Sequence, residues 1–311
     1  MAILVAANFD AEEWAAWWPL LEASLPEERL IRNIADCSSE EIDIALVANP
    51  PAGTLHGLES LQLIQSLWAG VDTLLADQSI PAHVPLARMA DPLMSAAMAE
   101  TVLWAVLSLH RGHFGYAAQQ RAGEWRQQPL RRAEDINVAV LGLGQMGRCA
   151  AQALVRQGYR VNGWSTHEAA VEGMATSAGD AALAHVLARA NVVVNLLPLT
   201  PATRGLFNAA TLAQMPRGSS LVNLARGAHV VDADLLAALA SRHIAHAVLD
   251  VFHAEPLPAG HPYWAHPRVT VLPQVAEPTD PRSAAGVVAQ NVRALREGRP
   301  LAHVVDRLRG Y

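Results

Sequence analysis

Short unbroken apolar runs alternate along the chain with longer stretches in which apolar residues return every three or four positions. Residues 2–7, AILVAA, are one such run and predict a buried first strand. Trp14, Trp17, Trp18 and Leu21 then share helical spacing, so residues 11–24 are expected to form a helix with its aromatics packed on one face. Residues 42–50, IDIALVANP, predict a second strand closed by Pro50 and Pro51, and residues 61–70, LQLIQSLWAG, a third that ends at Gly70. Strand, helix, strand and strand in under a hundred residues predict a small parallel α/β domain.

From Ser95 to about Gln120 the apolar positions Met98, Val102, Ala105, Val106, Leu109 and Phe114 keep one helical period. Arg121–Asp135 is polar, rich in Arg and Gln, and contains Pro129, as a linker would. INVAVLGLG (136–144) then predicts a buried strand, followed by strands in RVNGWS (160–165), NVVVNLLP (191–198), SSLVNLA (219–225), HAVLDVF (246–252) and RVTVLP (268–273). Helical patterns at 204–215 and 232–242 lie between them, and a last helix is expected over 281–297. Strands alternating with helices predict a doubly wound parallel sheet.

Composition narrows the chemistry. All 23 basic residues are arginine, so a Schiff-base lysine and a phosphate-loop lysine are both excluded, and any cationic group must be a guanidinium. With 311 residues the chain is long enough for two domains, and a net charge of -6 advertises no surface for nucleic acid. Cys37 and Cys149 fit no metal or disulfide spacing, and no metal is expected. The first residues lack a basic leader, and charge interrupts the apolar stretches before about 18 residues. A soluble, cytoplasmic protein with no membrane partner is the expectation.

Gly142-Leu143-Gly144-Gln145-Met146-Gly147 fits the pattern G-x-G-x-x-G between a predicted buried strand and a predicted helix, Arg148–Gln157. In that context Gly142 permits a tight turn, Gly144 lets the backbone approach a pyrophosphate, and Gly147 lets the helix pack close to the strand. About 20 residues on, an NAD site would carry an acid for the ribose. The chain has Ser165, Thr166 and His167 there, with no acid before Glu168. Two hydroxyl donors and no repelling carboxylate favour NADP(H) over NAD(H), although no Arg stands in the segment. Further on, Arg226 follows the strand 219–225 and Glu255 follows the strand 246–252, where ligands gather in parallel sheets.

Taken together, LWAGVD (67–72), the glycine fingerprint, NLLPLTPATRGLFN (195–208), LVNLARGAHVVDADLLAAL (221–239), LDVFHAEPLP (249–258), HPRVTVLP (266–273) and VDRLRGY (305–311) resemble the D-2-hydroxyacid dehydrogenase family, and within it the bacterial glyoxylate/hydroxypyruvate reductases. The resemblance implies two Rossmann-like domains with an interdomain cleft that holds the active site. Residues 1–97 plus 281–311 would form the substrate domain, flavodoxin-like in type, and 98–280 the dinucleotide-binding domain. It implies a homodimer paired through the cofactor domains, and reduction of a small 2-oxo acid by hydride from a nicotinamide. It also implies that Arg226 and Glu255 are the catalytic Arg and Glu, and that the amides of Trp68, Ala69 and Gly70 bind the substrate carboxylate. Cofactor contacts would come from Gln145, Met146, Leu197, Pro198, Thr203, Leu224, Ala225 and Asp250 beside the three glycines. Trp68 stands where a small residue is usual; it either narrows the pocket or packs into the core. Pocket size is expected to depend on Trp68, Met89 and Tyr263.

One departure is larger. The family's general acid is a His after a Pro beyond the last strand, oriented by the Glu, and this chain has Pro273-Gln274. A glutamine amide donates a hydrogen bond but delivers no proton near neutral pH, and losing a positioned general acid costs about 10²–10⁴-fold in rate. Three explanations fit the sequence: a slow reductase with another proton route, a catalytically silent cofactor sensor, or a sporadic or engineered change in a normal enzyme.

Overall fold

A computed structural model describes residues 1–310; Tyr311, the last residue of the VDRLRGY segment, lies outside the described residues. The chain divides into two compact units, Met1–Leu93 with Thr279–Tyr311, and Met94–Pro278. The strands of the first are β1 (Ala2–Ala7), β2 (Arg29–Ile31), β3 (Ile42–Ala48), β4 (Leu63–Ser66) and β5 (Leu86–Ala87). They pair in the order β2-β1-β3-β4-β5, all parallel, which is the flavodoxin-like arrangement. β3 is buried at every position, so apart from Asp43 it reads as an apolar run rather than an alternating one. β2 and β5, three and two residues long, are too short to leave a hydrophobic period in the sequence.

Helix α1 (Ala11–Ser24) starts at an Asp10–Glu13 capping box. Of its aromatic stripe only Trp17 is fully buried, while Trp14 and Trp18 stay half-exposed under the Arg32 guanidinium, which sits 4.6 and 4.2 Å from their rings. After the short α2 (Asp72–Ala76), the expected long helix of residues 95–120 divides into α3 (Pro92–His110) and α4 (His113–Ala122). The break falls at Gly112, whose left-handed φ of 70° no helix continues through. α3 is long and apolar enough to cross a membrane by length and composition alone, but Met98, Val102, Ala105 and Val106 are buried in the core of the second unit.

That unit holds β6 (Asn137–Leu141), β7 (Arg160–Ser165), β8 (Ala175–Ala178), β9 (Val192–Asn195), β10 (Ser219–Asn223), β11 (Ile244–Leu249) and β12 (Val269–Val271). Their order, β12-β11-β10-β9-β6-β7-β8, is parallel throughout and reverses direction between β6 and β9. Ligands of doubly wound sheets bind beyond the carboxyl ends of the strands at such a reversal. Around the sheet lie α5 (Gln145–Arg156), α6 (Asp180–Leu187), α7 (Ala209–Gln214), α8 (Asp232–Ala240) and the one-turn α9 (Pro262–Ala265). The last helix, α10 (Pro281–Arg296), returns to the first unit, where the Arg296 guanidinium pairs with Asp43, 1% exposed, and with Glu28 at 2.8 Å.

Candidate functional site

The strand reversal places the glycine fingerprint between β6 and α5. Gly142 has φ 98°, and its N–H donates to the Trp164 carbonyl of β7 at 2.8 Å. A Cβ on Gly147 would stand 1.8 Å from the Gly142 carbonyl oxygen, so only glycine lets the helix approach the turn this closely. A Cβ on Gly144 would meet nothing within 4 Å. The space above that backbone, at the N-terminus of a twelve-residue helix, is therefore open to an anion. Gln145 and Met146 are the first residues of that helix. Open backbone at Gly144, with both flanking glycines sterically required, fits a bound dinucleotide.

At the end of β7, Ser165 Oγ donates to the His167 carbonyl at 2.5 Å and Thr166 Oγ1 lies 2.9 Å from His167 Nδ1. Across the reversal, two buried asparagines organise the strand ends. Asn195 Nδ2 donates to Asn223 Oδ1 at 2.9 Å, Leu197 N–H donates to Asn195 Oδ1 at 3.3 Å, and Asn223 Nδ2 donates to the Arg226 carbonyl at 3.0 Å. Asn223 Oδ1 also accepts the Ala225 N–H, next to the buried Leu224. Thr203 accepts the Thr200 N–H and donates to the Pro198 carbonyl, each at 2.8 Å, which closes the 198–203 loop.

Arg226 is half-buried, and its Nη1 donates to the Ala225 carbonyl at 2.7 Å. Behind it the fully buried His229 places Nδ1 3.1 Å from the Arg226 carbonyl and Nε2 3.3 Å from the Pro198 carbonyl, so one imidazole spans both loops. Gly227 fixes the next neighbour: a Cβ there would fall 2.0 Å from the Phe252 carbonyl carbon. The Arg226 loop and the loop carrying Glu255 are therefore in direct backbone contact. Glu255 Oε1 accepts the Phe252 N–H at 2.8 Å.

Gln274 is exposed and has a left-handed φ of 54°. Its N–H donates to the Asp250 carbonyl at 3.1 Å, and the Asp250 carboxylate accepts the N–H groups of Val275 at 2.8 Å and Ala276 at 3.1 Å. The Asp250 carboxylate is thus committed to the Gln274 loop. Burial pushes its carboxyl up, against the pull of those two amides, and the nearby Glu255 charge adds to the rise. Among the described residues no hydrogen bond joins Gln274 to Glu255.

In the first unit, the loop after β4 carries Trp68, Ala69 and Gly70. The Trp68 N–H donates to Ser66 Oγ at 3.1 Å and the same hydroxyl donates back to the Trp68 carbonyl at 2.9 Å, so the amides left for a carboxylate are those of Ala69 and Gly70. The Trp68 ring meets Phe9 and Trp17 edge-on, each at 6.0 Å. Met89 is buried and donates its N–H to the Trp68 carbonyl at 3.1 Å. Tyr263 differs from expectation: it is buried in a core cluster with Phe207 and Val230, and its hydroxyl donates to Asp232 Oδ1 at 2.8 Å. Its phenol is satisfied internally. The roles of Asn195, Asn223 and Gly227 escaped the sequence reading, because their partners are distant in the chain; the only local signal was polar residues ending two apolar strands.

Residues 103–276 match the model of the D-isomer specific 2-hydroxyacid dehydrogenase, NAD binding domain. The chain belongs to the D-2-hydroxyacid dehydrogenase family. It is 39% identical over 308 residues to glyoxylate/hydroxypyruvate reductase A of Serratia proteamaculans, covering 97% of each chain. Among solved structures, a D-isomer specific 2-hydroxyacid dehydrogenase from Xanthobacter autotrophicus, in complex with NADPH and MES, is 42% identical with a TM-score of 0.94 over 100% of this chain and 99% of that one. An NADPH-dependent glyoxylate/hydroxypyruvate reductase from Sinorhizobium meliloti, in complex with NADP and sulfate, is 34% identical with a TM-score of 0.91 over the same shares. In this dehydrogenase family, the two parallel sheets and the fingerprint between β6 and α5 are the features expected of a nicotinamide-dependent oxidoreductase.

Proposed function

We propose that this dehydrogenase reduces small 2-oxo acids, glyoxylate and hydroxypyruvate first, with NADPH preferred to NADH, and that it works slowly because Gln274 stands at the proton donor's position. The observation that carries the reading is that the glycine cradle and the Arg226 loop sit at carboxyl ends of one parallel sheet, where Asn195 and Asn223 tie the Leu197 loop to the Arg226 loop. The relatives' names and the NADPH and NADP in their crystals support the substrate class and the cofactor.

The second unit would hold the cofactor and the first the substrate. Gly142, Gly144, Gly147 and the start of α5 would take the pyrophosphate, Ser165 and Thr166 the adenosine side, and the 197–203 and 224–225 segments the remainder. A nicotinamide bound there supplies hydride to the carbonyl carbon. Arg226 holds the developing oxyanion or the carboxylate, and its permanent charge needs no proton transfer to act. The Ala69 and Gly70 amides grip the carboxylate. Gln274 donates a hydrogen bond to the carbonyl oxygen, and water delivers the proton. Glu255 keeps the 252–255 turn closed. Homodimer formation through the second unit is supported by Tyr116, Trp125 and Leu130, apolar side chains left exposed on its 111–133 segment. The cytoplasm, where NADPH is held reduced, is the compartment that suits this chemistry.

Gln274 also favours a second reading, a cofactor-binding sensor without turnover. A panel of 2-oxo acids assayed with NADPH and NADH separates the two. Oxidation of NADPH with at least one acid, at lower KM than NADH, supports the reductase; tight NADPH binding with no oxidation across the panel contradicts it.

A further inference from the structure

We propose that Arg148, projecting from α5, supplies the positive charge for the cofactor's 2'-phosphate that the loop after β7 lacks. The inference rests on the NADPH-dependent reading above. A phosphate monoester carries nearly two negative charges at neutral pH, and hydroxyl donors alone leave them uncompensated. In the sequence, the segment Ser165–Glu168 offers two hydroxyls, an imidazole and a carboxylate, but no guanidinium.

The fold brings one in from another element. Arg148 Nη1 donates to the Ala170 carbonyl at 2.7 Å and Nε donates to the Leu143 carbonyl at 2.9 Å. Leu143 lies between the first two fingerprint glycines, and Ala170 lies in the loop that follows β7. In a doubly wound dinucleotide domain these two segments flank the adenosine ribose. The guanidinium therefore bridges the fingerprint turn and the loop after β7. It is exposed, and Nη2 makes no hydrogen bond among the described residues. An Arg that already donates to two carbonyls loses little rotamer freedom when a ligand arrives, so its charge is delivered at low entropic cost. Thr166, exposed on the same loop, adds a hydroxyl donor.

The competing role for Arg148 is purely architectural: a staple that shapes the fingerprint and would serve NADH equally. Binding of NADPH and of NADH, each titrated by calorimetry on the wild type, Arg148→Gln and Arg148→Lys, with thermal melts of all three, decides between them. Loss of one charge-assisted phosphate contact is expected to weaken NADPH about tenfold in Arg148→Gln, with NADH changed by less than about threefold. Arg148→Lys, which keeps the charge and loses the fork, is expected to retain part of the NADPH preference. Equal weakening of both nucleotides in a folded variant, or no weakening of either, overturns the proposal and leaves the reductase reading standing. A folded wild type that binds neither nucleotide overturns both. Should Arg148→Gln fail to fold, the ratio of the two affinities in Arg148→Lys decides: a retained preference supports the proposal, and parallel loss of both nucleotides overturns it.

Discussion

In the proposed reaction Arg226 is the residue on which the chemistry turns, and its surroundings suit that role. The backbone carbonyl is bonded by Asn223 and faces His229, while the guanidinium is held against Ala225. A cation fixed in this way pays its orientation cost on folding rather than at each turnover. Arg226→Gln is expected to lower kcat/KM by about 10²–10³-fold with the fold intact, as steady-state kinetics beside a thermal melt will read. Trp68 makes a separate prediction about selectivity. Its ring is braced by Phe9 and Trp17, so Trp68→Ala opens space without refilling it. KM for branched 2-oxo acids should fall relative to KM for glyoxylate; a uniform change across the panel would contradict a pocket role. At this scale the sequence was readable where the structure rests on one local motif, as at Gly142–Gly147, with its left-handed Gly142 and close-packed Gly147. It was silent where function is shared across strands. Asp250 holds the Gln274 loop, and Asn195 bonds Asn223, through pairings that only the folded sheet creates.

Among elements, the C-terminal helix shows what anchors the first unit. Arg296 reaches from α10 to the buried Asp43 of β3 and to Glu28. Removing one partner of a buried pair strands the other charge, so Arg296→Met is expected to cost about 3 kcal/mol in denaturant unfolding, while Arg296→Met with Asp43→Leu should recover much of the loss. The same contact holds the Glu28 carboxyl below its ordinary range, chiefly through the Arg296 hydrogen bond. A carboxyl lowered in the folded state stabilises above its unfolded pKa, and that contribution disappears as pH falls through the folded value. Gly227→Ala tests a different joint. Its Cβ would overlap the Phe252 backbone, so the Arg226 and Glu255 loops must part, and activity should fall together with Tm. The long elements and the alternation of β6 through β12 were legible because their burial imposes a period. β2, β5 and β8 were not, being short edge or near-edge strands whose residues are polar or few. The single helix read across residues 95–120 failed at Gly112, because apolar periodicity continued through a residue whose backbone does not.

At the scale of the whole molecule, acid sensitivity has an identifiable source in the second unit. His246 is stacked on Phe114 at 4.3 Å and bonded to Thr270 at 2.9 Å. Burial, with the neighbouring His266 and Arg268 charges, pushes its imidazole down to about 4. The folded state therefore prefers neutral His246, and its stabilising contribution is full above the ordinary imidazole pKa and lost as pH falls toward about 4. Tm should drop across that window, and the drop should shrink in His246→Phe, which keeps the stack; an unchanged slope would contradict the assignment. The absence of lysine, which first excluded several chemistries, costs this architecture nothing, since every cation it uses is a guanidinium. The proposed slowness rests on position 274, where the chain carries glutamine and not a titratable group. Stopped-flow absorbance at the nicotinamide band, with glyoxylate and hydroxypyruvate, tests that claim on the wild type and on Gln274→His. Slow NADPH oxidation is expected from the wild type, with a rise of about tenfold or more when the histidine is supplied. Tight NADPH binding with no turnover in either protein would contradict it.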